Sequence, residues 1–111
     1  LVFREIFLPA IARMDPDLII ISAGQDVLSD DPVGDMQILP GDLGYLTGLV
    51  MDTTQMPLAL VLEGGYGPSH GAAVRNIFSA LGGTRFGCGE QAPNKKTLAL
   101  ISRLQRIHNL Y

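Results

Sequence analysis

The chain has 111 residues, 47% apolar and 17% charged, with 8 basic against 11 acidic residues and a net charge of −3. That apolar content drives burial and excludes wholesale disorder, while the acidic balance and the lack of a basic stripe exclude a typical nucleic-acid-binding module. A single cysteine, Cys88, excludes an intramolecular disulfide and a cysteine-based zinc cluster. The longest apolar run, the five residues from Leu58 to Leu62, is too short for a membrane-spanning helix or a signal peptide.

A helical pattern is already running at Leu1. Val2, Phe3, Ile6, Phe7, Ala10 and Met14 recur at steps of three and four with no N-cap before them. This predicts a chain that is a piece of something longer. Pro9 interrupts the pattern, and either kinks the helix or opens a second helical piece. Asp15-Pro16-Asp17 is a turn signal. Leu18 to Gly24 then reads as a short strand, β-branched and without alternation, as in strands buried on both faces.

A polar loop is expected from Gln25 to about Leu39. Pro40 and Asp42 open a helix with Leu43, Leu46, Leu49 and Val50 on its apolar side. After Pro57, Leu58 to Leu62 reads as a second buried strand, ending in Glu63-Gly64-Gly65-Tyr66-Gly67-Pro68. Ser69 is placed to cap a helix bearing Ala73, Val74, Ile77, Phe78 and Leu81, stopped by Gly82-Gly83. Residues 84–93 read as a loop. Asn94 is placed to cap a last helix with Leu100, Leu104, Ile107 and Tyr111 on one face.

Strand, helix, strand is a βαβ unit, so the two strands should be parallel. Sheets usually hold about four to six strands, which predicts that others lie outside this chain. In open parallel sheets, ligands bind beyond the carboxyl ends of the strands. The first such end carries Ser22-Ala23-Gly24-Gln25-Asp26 and the second Glu63-Gly64-Gly65-Tyr66. Asp26 and Tyr66 should therefore face one cleft. Asp26 has three readings: metal ligand, general base or turn cap. Tyr66 is either a donor to a developing oxyanion or an ordinary packed tyrosine. Gly64 and Gly65 suit positive φ or close approach to a ligand, or simply a tight turn.

The remaining signals are plainer. Glu63 is expected to be buried and hydrogen-bonded to backbone. Asp30 and Asp31 before Pro32 read as a loop turn, and Cys88 between two glycines as an exposed loop thiol. Lys95 and Lys96 read as a solvated face. A phosphate loop at Gly64-Gly65-Tyr66-Gly67 is a competing reading, but neither dinucleotide nor P-loop spacing is present.

Pro16-Asp17-Leu18-Ile19-Ile20-Ile21-Ser22-Ala23-Gly24-Gln25-Asp26 followed by Asp30-Asp31-Pro32-Val33-Gly34, and later Leu62-Glu63-Gly64-Gly65-Tyr66, resemble the C-terminal part of the zinc-dependent histone deacetylases. That superfamily includes acetoin-utilisation proteins and acetylpolyamine amidohydrolases. The resemblance implies an α/β fold, residues 1–111 being the C-terminal part of one parallel-sheet, three-layer arginase/deacetylase-like domain. It implies a hydrolase acting on acetylated protein or small acetylated amines, without direct binding of nucleic acid or membrane, in the nucleus or cytoplasm and not secreted.

It also implies roles for four residues. Asp26 stands at a zinc ligand, and Tyr66 at the residue that polarises the acyl carbonyl. Gly64 and Gly65 stand where backbone approaches the substrate. Tyrosine at 66, where some branches carry histidine, implies the type more active toward acetyl-lysine. The family's other two zinc ligands and its histidine pair belong to segments upstream. Here the histidines are His70 and His108 alone, the first expected at the surface or beside the site and the second to be structural. An inactive or interaction-only remnant is therefore the alternative function.

Overall fold

The computed structural model describes residues 1–89 and 91–111. They divide into two compact units, Leu18–Cys88 and a smaller one of Leu1–Asp17 with Gly89–Tyr111.

In the larger unit, β1 (Ile19–Ala23) pairs in parallel with β2 (Leu58–Leu62), in the register Ile19 to Leu58 through Ala23 to Leu62. The crossover carries a helix, Pro40–Thr53, so the βαβ unit forms as expected. Pro40 sits in its first turn, where a missing N–H costs nothing, and the Asp42 carboxylate accepts from Leu39 N–H at 2.8 Å. A second helix, His70–Leu81, follows β2.

The strand faces differ from the expectation. Ile19, Ile21, Leu58 and Leu60 are at least half-buried, whereas Ile20 and Val61 on the other face are 64% and 51% exposed. Only one face is covered within this unit. Its groove, about 240 Å³, runs between β2 and the His70–Leu81 helix and is lined by Leu58, Leu60, Leu62, Val74, Ile77 and Phe78 among others. The polar loop expected at 25–39 also holds a short parallel bridge, Leu28 to Ile38, with Leu28 only 1% exposed.

The Pro40–Thr53 helix buries a different side from the leucine stripe. Gly44, Thr47, Gly48 and Val50 are buried, whereas Leu43, Leu46 and Leu49 are half-buried. The reason is close approach. A Cβ on Gly44 would stand 2.6 Å from the Phe86 ring, and one on Gly48 3.0 Å from the Arg85 side chain. Arg85 forks onto Asp52 (Nη2 to Oδ1 2.7 Å, Nε to Oδ2 2.9 Å) and donates to the Ala80 carbonyl, tying the two helix ends together. Gly83, at φ 104°, stops the second helix where the glycine pair predicted.

In the smaller unit, a π-helical stretch (Phe3–Phe7) runs into a helix (Leu8–Met14) with Pro9 in its first turn. Proline thus opens a second helical piece. The last helix (Lys95–His108) is capped as expected, with Asn94 Oδ1 accepting from Thr97 N–H at 2.8 Å. Of its predicted face, Leu104 packs against the core as expected, but Tyr111 is exposed and other residues take the remaining places. Ile101 and Leu110 pack with Ile6 while Leu100 and Ile107 are exposed. Arg13 donates to the carbonyls of His108 and Asn109 at 2.6 and 2.9 Å, closing that helix's C-terminus.

Candidate active site

Both strands of the larger unit end at the same edge because they are parallel. Each end continues through glycine into a loop, and the loops are held to each other by polar contacts. Gln25 N–H donates to the Gly64 carbonyl at 2.5 Å. A Cβ placed on Gly24 would stand 2.8 Å from Asp26 Oδ1 and 4.0 Å from the Gly64 carbonyl, and one on Gly64 would stand 3.4 Å from the Tyr66 hydroxyl. Asp26 thus lies against Gly24 and Tyr66 against Gly64, the two glycines being close to each other. Asp26 and Tyr66 are both exposed, Tyr66 by 67%.

Gly65 and Gly64 differ. Gly65 adopts φ 145°, a conformation that side chains rarely take, and a Cβ there would lie 2.3 Å from Gln25 Cβ and 2.7 Å from His70 Nδ1. The close approach at Gly65 is therefore to this chain's own side chains. Gly64 has no positive φ.

Three further residues shape this pair of loops, of which His70 takes one of the two places the sequence reading allowed it. Gln25 is 1% exposed, and its Nε2–H donates back to the Ala23 carbonyl at 3.0 Å. Gln25 Oε1 and His70 Nδ1 are buried without a hydrogen-bond partner among the described residues. His70 is half-buried beneath Gly65, so its place is beside the loop rather than at the open surface.

The third is Asp31, 7% exposed. Its Oδ2 accepts from Tyr66 N–H at 2.8 Å, and its Oδ1 accepts from Val33 N–H at 2.8 Å and Gly34 N–H at 3.1 Å. The Tyr66 N–H, the Val33 and Gly34 N–H groups and the Gly67 N–H all hold this carboxyl below the ordinary carboxylate value of 3.8, the Tyr66 bond most strongly, against a smaller opposing effect of burial. The neighbouring Asp30 takes Ser69 N–H at 3.0 Å and the Ser69 hydroxyl at 2.7 Å. Two corrections follow. Asp30 and Asp31 bind the second loop as well as forming a turn of the first. Ser69 spends its hydroxyl on Asp30 and makes no side-chain cap. The acidic pair was visible in the sequence, but its partners lie 35 and 39 residues away, beyond any local turn rule.

Glu63 is also corrected. It is exposed, not buried, and its carboxylate accepts from the Ser22 hydroxyl across the strand pair. Cys88 is exposed as expected.

These loop geometries lie inside a segment that the sequence model of the histone deacetylase domain matches, residues 1–81. The chain belongs to the histone deacetylase family. It is 41% identical over 64 residues to histone deacetylase HDA1 of Candida albicans, which is 58% of this chain and 8% of that protein. It is 42% identical over 64 residues to the polyamine deacetylase HDAC10 of Danio rerio, 58% of this chain and 10% of that one. The solved structure of the histone deacetylase Clr3 superposes with a TM-score of 0.85 at 25% identity, over 99% of this chain and 19% of that chain. The chain therefore spans a small fraction of the relatives it matches, and its α/β architecture is that of part of a deacetylase domain.

A deacetylase-family domain implies zinc, and a catalytic zinc generally takes three protein ligands. Among the described residues no group of three His, Cys, Asp or Glu side chains is arranged to hold a metal. Asp26 is a single exposed carboxylate at the loop edge. The described residues alone do not fit a resident zinc.

Proposed function

We propose that this chain forms the C-terminal part of a deacetylase domain whose zinc-dependent site hydrolyses the amide of an acetylated lysine or a small acetylated amine. The observation that carries this reading is the pairing of the Asp26 and Tyr66 loops around Gly24 and Gly64, within a family of deacetylases. Histone and polyamine deacetylases both stand among the relatives, which supports an acetylated amine as the shared substrate feature.

In this reading Tyr66 donates its phenol O–H to the acyl carbonyl oxygen and follows the charge that develops there. Its exposure at the edge leaves that donor open to a substrate. Asp26 supplies one carboxylate ligand, the others coming from residues that this chain does not contain. A zinc held there would polarise the carbonyl and acidify a bound water. Gly64 keeps a side chain from the space beside the phenol, while Gly65 lets the loop close onto Gln25 and His70.

The test uses the complete protein, loaded with zinc and assayed on an acetyl-lysine peptide and an acetylated polyamine. Tyr66→Phe should keep its metal and lower kcat by ~10²–10³, the loss typical of one oxyanion donor. Asp26→Asn should lower bound zinc, because a neutral amide is a poorer ligand than a carboxylate. Full kcat in Tyr66→Phe would overturn the role of Tyr66. No turnover of either substrate by the wild-type protein would favour the inactive remnant.

A further inference from the structure

Tyr66 presents a problem that its own surroundings do not solve. Tyr66 is 67% exposed, so packing within this chain does little to fix the phenol. A donor that must meet a developing charge needs a defined position, and displacement by about 1 Å can cost ~10²-fold in rate. Within this chain, the hold on that position comes through the backbone.

That backbone is held by one buried carboxylate. Asp31 Oδ2 accepts from Tyr66 N–H at 2.8 Å, and the other oxygen accepts from Val33 and Gly34 N–H at 2.8 and 3.1 Å. Gly34 in turn lies flat against the backbone of Asp26, since a Cβ on it would fall 1.9 Å from the Asp26 carbonyl oxygen. One side chain therefore links the peptide of Tyr66 to the peptide that abuts Asp26. A local turn needs only the oxygen that reaches residues 33 and 34. The second oxygen, spent on a residue 35 positions away, serves something else.

We propose that Asp31 is a positioning residue for the deacetylation reaction, its two carboxylate oxygens fixing Tyr66 against the Asp26 loop. This rests on the deacetylase reading above. The chemistry selects a carboxylate, because N–H donors face both oxygens. Asparagine keeps one acceptor and turns an NH₂ toward donors at the other end, leaving either the Tyr66 N–H or the Val33 and Gly34 pair unmet. Glutamate keeps both acceptors on a longer stem.

The experiment takes the complete zinc-loaded protein through a double-mutant cycle of Asp31→Asn and Tyr66→Phe, measuring kcat, KM and bound zinc, with amide hydrogen exchange read at Tyr66. Asp31→Asn should lower kcat by ~10–100-fold while KM and zinc content stay within about twofold. In the Tyr66→Phe background the same change should lower kcat by less than about threefold, because the phenol it positions is gone. Asp31→Glu should restore part of the lost kcat. Independent, multiplying losses in the cycle, or a loss explained by departed zinc, would overturn the proposal. If Asp31→Asn does not fold, Asp31→Glu carries the cycle, and additivity there is equally fatal. If the wild-type protein turns over no acetylated substrate, the deacetylase reading fails by itself. The exchange measurement then still decides the geometry: Tyr66 N–H should exchange faster in Asp31→Asn or Asp31→Glu than in wild type, and equal rates would overturn the link.

Discussion

Around the carboxyl ends of β1 and β2, most polar groups find partners inside the chain, Gln25 Oε1 and His70 Nδ1 being the exceptions among the described residues. Asp31 takes three backbone N–H groups, Asp30 takes Ser69, and Gln25 N–H takes the Gly64 carbonyl. The faces of the same strands are different. Ile20 is 64% exposed, Val61 51%, and Phe78 on the covering helix 69%. Directional bonds need only the few atoms at each end, so two short loops can satisfy most of their own polar groups. Burial of an apolar face needs a second layer of matching area, and within this unit only one face has it.

The sharpest way to break that contrast is at Gly65. Alanine there must take φ 145° and place a methyl carbon 2.3 Å from Gln25 Cβ. Strain and overpacking together should cost roughly 2–5 kcal/mol, seen as a large fall in the thermal midpoint of the complete protein. A midpoint within error of wild type would mean the loops are far looser than described. The apolar side of the contrast gives the next effect. The 111-residue chain expressed alone should bind a hydrophobic dye strongly and melt without a sharp transition, because large apolar side chains such as Ile20, Val61 and Phe78 stay exposed on it. A cooperative transition without dye binding would refute it.

Acid sharpens the polar side. The Asp31 carboxyl is held below its ordinary 3.8 in the folded chain, chiefly by the Tyr66 N–H. Its contribution to stability is therefore complete above 3.8 and disappears as pH falls through the lowered folded value. Denaturant titrations from pH 5 to pH 2 should show part of the acid-induced loss in wild type and not in Asp31→Asn. The smallest effect is expected at Asp52→Asn. Its pairing with Arg85 holds that carboxyl low, but the two side chains are 58% and 40% exposed. Solvent screens such pairs, so the midpoint should fall by no more than about 2 °C, and less at high salt.

Much of this fold was legible before the structure. β2 was read with its observed ends, and β1 within one residue at each end. Pro9, Pro40, Asn94 and Gly82-Gly83 marked helix starts and stops because each acts through its own backbone or its nearest neighbours. The helix faces were read less well. Gly44 and Gly48 look like weak helix residues in sequence, yet they form the buried side because Phe86 and Arg85 come close there.

At the candidate site the sequence named Asp26, Gly64, Gly65 and Tyr66, because parallel strands bring their carboxyl ends to one edge and the motifs resemble a known family. That much follows from order and residue type. It misjudged Glu63 and Ser69, and it left Asp31 as a turn. Each of these depends on which group, among several within reach, a polar atom chooses. Asp31 could have satisfied itself on Val33 and Gly34 alone, as any aspartate in a turn does. Its second oxygen found Tyr66 only because the crossover returned the chain to the same edge, and that return is a property of the folded backbone, which no local run of residues contains.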